Sequence, residues 1–247
     1  MVAKDVSGVL VVDKPRDMTS HDVVDIVRRL FNTRRVGHAG TLDPIATGVL
    51  VVLVGSATKS SAMLTNDEKE YSARLTLGKT TDTGDAYGKT VKASGLNGLD
   101  RKTVEDAVLS FRGEIEQTPP MFSAVKYKGR SLYKLARKGV TVDRQSRRVV
   151  IKDITIEDIS LPQVDFKVVC SKGTYIRQLC ADIGEKLGCG GHMSALRRSR
   201  SGDFHISRAV TLDRLRASSP RDLAYMLLNV DGAGSFAAAD RKGPRGG

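Results

Sequence analysis

The spacing of apolar positions separates strands from helices along most of this chain. GVLVVDKP, residues 8–15, is a short apolar run closed by Pro15 and predicts a first strand. In TSHDVVDIVRRLFN, Val23, Val27 and Leu30 recur at helical spacing behind Thr19 or Ser20 as N-cap, so residues 19–32 predict a helix. The run Val49–Val54 is apolar at every position and reads as a buried strand. ATKSSAMLT predicts a short helix, and KEYSARLTLG a strand with Tyr71, Ala73, Leu75 and Leu77 on one face. Residues 79–98 carry Gly84, Gly88, Gly95 and Gly98 and read as loop and hairpin. TVEDAVLSFRG predicts a helix capped by Thr103 and stopped at Gly113.

A short helix is expected around Leu132–Lys138, then two long strands, RRVVIKDITIEDI and QVDFKVVCS. TYIRQLCADIGEKLG predicts a helix, GHMSALRRSRSG a final strand, and TLDRLR a last short helix. Residues 218–230 are expected to pack as one helix, and the Gly/Ala-rich stretch 231–247 to be a disordered tail. Strands and helices mix without a regular βαβ alternation. The predicted fold class is therefore α+β, a mixed, mostly antiparallel sheet with flanking helices.

Composition narrows the class. With 247 residues and 40% hydrophobic content, the chain can build one large domain or one with a small appendage. Its longest apolar run is far too short to cross a bilayer, and no signal peptide is read at the N-terminus. Cys170, Cys180 and Cys189 include no CxxC pair, which suits reduced thiols and a cytoplasmic location. Net charge changes the picture more. Forty Lys and Arg against 28 acids give +12, and residues 126–148 hold nine bases and one acid. Tyr127 and Tyr133 interleave with that charge, and tyrosine faces stack on unpaired bases, so nucleic acid is the expected partner.

Several chemistries compete for the Gly-rich stretch GHAGTLDPIATG, residues 37–48. GKT occurs at 78–80 and 88–90, yet neither copy has the glycine spacing of a phosphate-cradling P-loop. Cys189 and His192 have ligand-like spacing but lack a second cluster, so no metal site is expected. A GxSxG nucleophile elbow is absent. Asp43 remains, and Asp-Pro spacing serves a plain turn as well as a held catalytic carboxylate. Spacing does not decide between them.

The stretch VGHAGTLDPIATGVLVVLVGSATK resembles the signature of the TruB family of pseudouridine synthases. GVLVVDKPRDMTSHDVV, KEYSARLTLGKTTDTGDAYG, KGTYIRQLCADIGEKLG and HMSALRRSRSG follow the same pattern in order, over residues 7–216. The resemblance implies a pseudouridine synthase catalytic domain over 1–216, with residues 119–148 as a basic, RNA-gripping thumb of the bacterial type. It implies isomerisation of uridine 55 in the T-loop of tRNA, after the base is flipped out. Asp43 is implied as nucleophile, with Tyr71 and Arg177 completing the catalytic set. His38, Tyr175, Leu196, Asp85, Lys14 and Pro15 are implied in substrate binding, and Lys59, Lys126, Lys128, Arg130, Arg197 and Arg198 at the RNA backbone. An arginine beside a nucleophilic carboxylate would keep it ionised.

The resemblance further implies a monomer that contacts the tRNA T-arm, with no membrane, guide RNA, metal or cofactor. One departure stands out: family members usually carry a C-terminal, often PUA-like domain, and about thirty residues after TLDRLR are too few for one. Residues 217–247 are therefore expected as a short remnant and tail. The competing readings are a non-catalytic RNA-folding protein on the same scaffold, the RNA-guided branch of the family, and a two-carboxylate hydrolase using Asp43 and Asp85.

Overall fold

A computed structural model describes residues 6–65 and 67–229. The expected tail at 231–247 lies outside the described residues. The chain forms two compact units, one drawn from residues 1–67 and 198–247 and the other from the continuous stretch 68–197. Both are mixed α/β with mostly antiparallel strands, the predicted class. No helix among the described residues is long and apolar enough to cross a membrane.

In the first unit, the strand Gly8–Lys14 runs antiparallel to Thr47–Val54, from Gly8 opposite Val54 to Lys14 opposite Gly48. On its other edge, Val12 and Asp13 pair in parallel with Val210 and Thr211. Every residue of Val49–Val54 is buried, which accounts for the lack of alternation in that run. Val9, Val11, Val49, Val51 and Leu53 meet Ala57, Leu64 and Phe204 in a shared core. The helix Ser20–Leu30 begins at Thr19, whose hydroxyl accepts from the Asp22 amide while Asp22 accepts from the Thr19 amide.

Three features of this unit depart from the sequence reading. Residues 36–39, expected as loop, form a strand that pairs His38 with Val52. The first half of the expected helix at 57–65 is a 3-10 turn, Gly55–Ser60, ahead of the helix Ser61–Thr65. The single helix expected over 218–230 stops early: Pro220–Tyr225 is helical, and Leu228 then pairs with Val9 through both backbone groups. That pairing satisfies the outer edge of Gly8–Lys14 and holds Gly8 so close that a side chain there would meet the Leu228 carbonyl at 2.7 Å.

The second unit is built on four antiparallel neighbours. Lys69–Leu77 pairs with Gln163–Cys170, which pairs with Arg147–Ser160, which pairs with Gly113–Gln117. Tyr71, Ala73, Leu75 and Leu77 lie on the buried face as predicted. The helix Ile176–Lys186 buries Ile176, Leu179, Cys180 and Ile183. The helix expected from Thr103 starts earlier, at Arg101, because the Asp100 carboxylate rather than Thr103 caps it and accepts from the Thr103 amide at 2.7 Å. Within the basic insertion, Lys126–Tyr127 and Arg130–Ser131 form a hairpin closed by Lys128 and Gly129. Both turn residues have positive φ, 46° and 81°, as a two-residue hairpin turn requires. The helix Leu132–Ala136 follows, with Leu132 buried beneath it.

Candidate active site

Asp43 sits in the loop joining the strands Val36–Ala39 and Thr47–Val54. Its neighbours Leu42, Ile45 and Ala46 are buried, and the carboxylate residue itself is half-buried. The loop is tied down from several directions within its own unit. The Ser20 hydroxyl donates to the Leu42 carbonyl at 3.1 Å and accepts from the Leu42 amide at 2.8 Å. The Asp17 amide donates to the Pro44 carbonyl at 2.9 Å, and the Ala46 amide closes a turn onto the Asp43 carbonyl at 3.0 Å.

Two buried cations complete the frame. Lys14 is fully buried at the end of its strand, and its Nζ donates to the carbonyls of Met18 at 2.7 Å, Pro15 at 2.8 Å and Pro44 at 3.4 Å. Burial pulls its ammonium down to about 8, against the opposing pull of Asp43 and Asp17. Arg198 is 1% exposed, and its guanidinium donates to the Val49 carbonyl at 2.7 Å and the Gly40 carbonyl at 3.0 Å. Gly48 is obligatory beside it. With φ of 98°, a side chain there would lie 2.2 Å from the Arg198 carbonyl.

These two placements differ from the exposure that the sequence reading implies. Arg198, expected at the RNA backbone, is buried because it shares the inward parity of Leu196 along the strand Gly191–Ser201. Lys14, expected in substrate binding, shares the face of Leu10 and Val12 and braces the Asp43 loop through carbonyl oxygens. Pro15 and Lys59 are exposed, and His38 is half-buried. Burial, with Arg198 and His21 adding like charge, lowers the His38 pKa and favours the neutral ring.

The second unit gathers another group. Arg177, 3% exposed, donates from Nη1 to the Thr83 carbonyl at 2.8 Å and from Nη2 to the Phe122 carbonyl at 2.9 Å. Its Nε lies 3.8 Å from the Asp85 carboxylate. Asp85 is itself buried and accepts from the Thr83 hydroxyl at 2.7 Å and the Tyr87 amide at 3.0 Å. A buried guanidinium with two carbonyl acceptors and a carboxylate beside it is compensated where a bare one would be costly. Tyr71 and Leu196 are buried on their strands.

Tyr175, the N-cap of the helix bearing Arg177, is half-buried beneath the Arg147 guanidinium at 5.0 Å. Its backbone is held by Gln117, which accepts from the Tyr175 amide at 2.7 Å and donates to its carbonyl at 3.1 Å. Lys126, Lys128, Arg130 and Arg197 are exposed. Sequence offered Ser20 only as a helix-cap candidate and singled out neither Gln117 nor Arg147. Only parity with Ile115 along Gly113–Gln117 hinted that Gln117 turns inward.

Among the described residues, no group of three or more His, Cys, Asp or Glu side chains is placed to hold a metal ion. Cys189 and His192 turn instead to backbone carbonyls, of Gly190 at 3.3 Å and Lys79 at 3.0 Å. Burial pushes the Cys180 thiol far up, so it is an inert core residue.

Residues 28–176 match the family described as TruB family pseudouridylate synthase, N terminal domain. Residues 177–233 match the tRNA pseudouridylate synthase B C-terminal domain. The chain is 51% identical over 224 residues to the tRNA pseudouridine synthase B of Syntrophotalea carbinolica, covering 91% of this chain and 73% of that protein. Against the tRNA pseudouridine synthase B of Opitutus terrae it is 45% identical over 227 residues, covering 92% and 94%. Among solved structures it resembles a chain of a Cbf5-Nop10-Gar1 complex, with TM-score 0.66 and 31% identity. That match covers 90% of this chain and 62% of the other, so the chain spans about six tenths of that neighbour's length.

Proposed function

The chain belongs to the TruB family of pseudouridylate synthases, and from that premise we propose that it isomerises uridine 55 in the T-loop of tRNA, with Asp43 as nucleophile. It is a tRNA pseudouridine synthase, an isomerase. In this reaction the N1–C1′ bond of uridine breaks and a C5–C1′ bond forms. The C5 proton leaves to solvent and N1 gains one, so no redox partner or phosphoryl donor enters the balance.

The observation that carries the site assignment is the clamped loop at 40–46. A half-buried carboxylate on a backbone fixed by Ser20, Asp17, Lys14 and Arg198 is held for one direction of attack. In this reading Tyr71 stacks on the base and assists proton removal, and Arg177 and Asp85 belong to the charge network of the carboxylate. Tyr175 and Leu196 line the uridine pocket, and His38 keeps the base out of its stack. The exposed Lys126, Lys128 and Arg130 support a phosphate grip by the 119–148 insertion, with Arg197 and Lys59 also at the RNA backbone and Pro15 in substrate binding. The enzyme works as a monomer in the cytoplasm on tRNA alone, without guide RNA.

The test uses unmodified tRNA transcript tritiated at uridine C5. Wild type should release tritium from the T-loop uridine, and Asp43→Asn should be slower by about a thousandfold or more, since the amide cannot act as the nucleophile. Tight tRNA binding with no release by wild type would replace this reading with an RNA-folding role.

A further inference from the structure

The basic insertion is fastened at three points to residues 173–177, which lead into and begin the helix Ile176–Lys186, all within the second unit. Gln117 and Arg147 stand opposite each other as the last and first paired residues of the strands that lead into and out of the insertion. Gln117, 1% exposed, brackets the Tyr175 backbone through both its amide atoms. Arg147 covers the Tyr175 ring and donates from Nη2 to the Gly173 carbonyl at 2.6 Å. The third point is the Phe122 carbonyl, which accepts from Arg177.

The Phe122 ring meets Tyr133 edge-on at 6.2 Å, and Tyr133 lies exposed on the insertion's own helix. Arg144 closes the base of the insertion by donating to the Pro119 carbonyl at 2.9 Å. Both roots of the insertion, and one residue inside it, therefore bear on the same helix start.

From this we infer that Gln117 and Arg147 are positioning residues, which make the insertion's seating on RNA set the placement of Tyr175 and Arg177. The inference rests on the uridine reading above. A side-chain amide that both donates to and accepts from one residue's backbone fixes that residue in two directions. A stacked guanidinium fixes its ring in the third. Displacement of a substrate-positioning group by about 1 Å can cost on the order of a hundredfold in rate.

The experiment compares wild type, Gln117→Leu and Arg147→Met by single-turnover tritium release at saturating T-arm RNA, alongside RNA affinity. Gln117→Leu is expected to be roughly 10- to 100-fold slower and Arg147→Met roughly 3- to 10-fold slower, each with affinity within about twofold of wild type. Arg147→Met leaves the sheet's backbone pairing intact and carries the test should Gln117→Leu not fold. Unchanged release, or release and affinity falling together, overturns the inference.

Wild type that releases no tritium would refute the uridine reading instead. Amide exchange over residues 175–179 then judges the clamp by itself: exchange about tenfold faster in either variant sustains it, and unchanged exchange overturns it.

Discussion

Lys14 and Arg198 are as buried as the valines around them, whereas Lys126, Lys128 and Arg130 stand in solvent on a short hairpin. The residue types are the same and the tasks are opposite. In the Asp43 region each cation meets backbone carbonyls, so its charge organises a loop. In the insertion the cations lie over their own tyrosines, Lys128 over Tyr127 at 5.6 Å and Arg137 over Tyr133 at 5.9 Å. The first arrangement makes a rigid platform for a carboxylate, and the second leaves charge and aromatic faces available to a polyanion. Net charge alone, which counts both sets together, overstates the surface a nucleic acid can meet.

The sharpest way to break this contrast is to remove a buried cation. Arg198→Met strands the carbonyls of Val49 and Gly40, and denaturant unfolding should show a loss of about 3 kcal/mol. Arg198→Lys should not restore it, because an ammonium lacks the planar fork that spans both acceptors.

Lys14 gives a pH-dependent version. Its ammonium is harder to charge in the folded chain than the ordinary 10.5, falling to about 8. Between those values the unfolded chain binds more protons, so wild type gains stability relative to Lys14→Met as pH rises through that window. The gain is expected to reach at most about 3 kcal/mol, with the full burial cost standing below the lower value. Equal pH dependence in the two proteins would contradict it.

The smallest folding effect belongs to the insertion. Replacing Lys126, Lys128 and Arg130 together by Ala should change stability by no more than about 0.5 kcal/mol. The same variant should flatten the slope of log affinity against log salt by about 2 to 3.

Much of this was legible in the sequence where one period ruled. The alternation through Tyr71, Ala73, Leu75 and Leu77 and the uniform burial of Val49–Val54 follow directly from apolar spacing. Parity also ran through Leu196 and Arg198, but the run of arginines reads as surface until strand alternation is given more weight than charge. The strand Val36–Ala39 was illegible, because Gly37 and His38 lack strand propensity and their state is set by pairing with Val52 and Leu53. The Asp100 cap was missed because Thr103 is equally plausible by type, and the choice depends on backbone geometry. Asp43 was visible only as an acid in a glycine-rich turn. Its clamps come from Ser20, Lys14 and Arg198, and no local pattern reports contacts over such separations.

The position of Arg198 also sets an order of events during synthesis. The unit that holds Asp43 takes its residues from both ends of the described chain, while the other unit is continuous from 68 to 197. As the chain leaves the ribosome, the continuous unit has all its residues first. The Asp43 loop gains its last brace only after residue 198 emerges, and its sheet edge closes only when Leu228 reaches Val9. A nascent chain therefore carries the exposed Lys126, Lys128 and Arg130 before the Asp43 loop has its last brace.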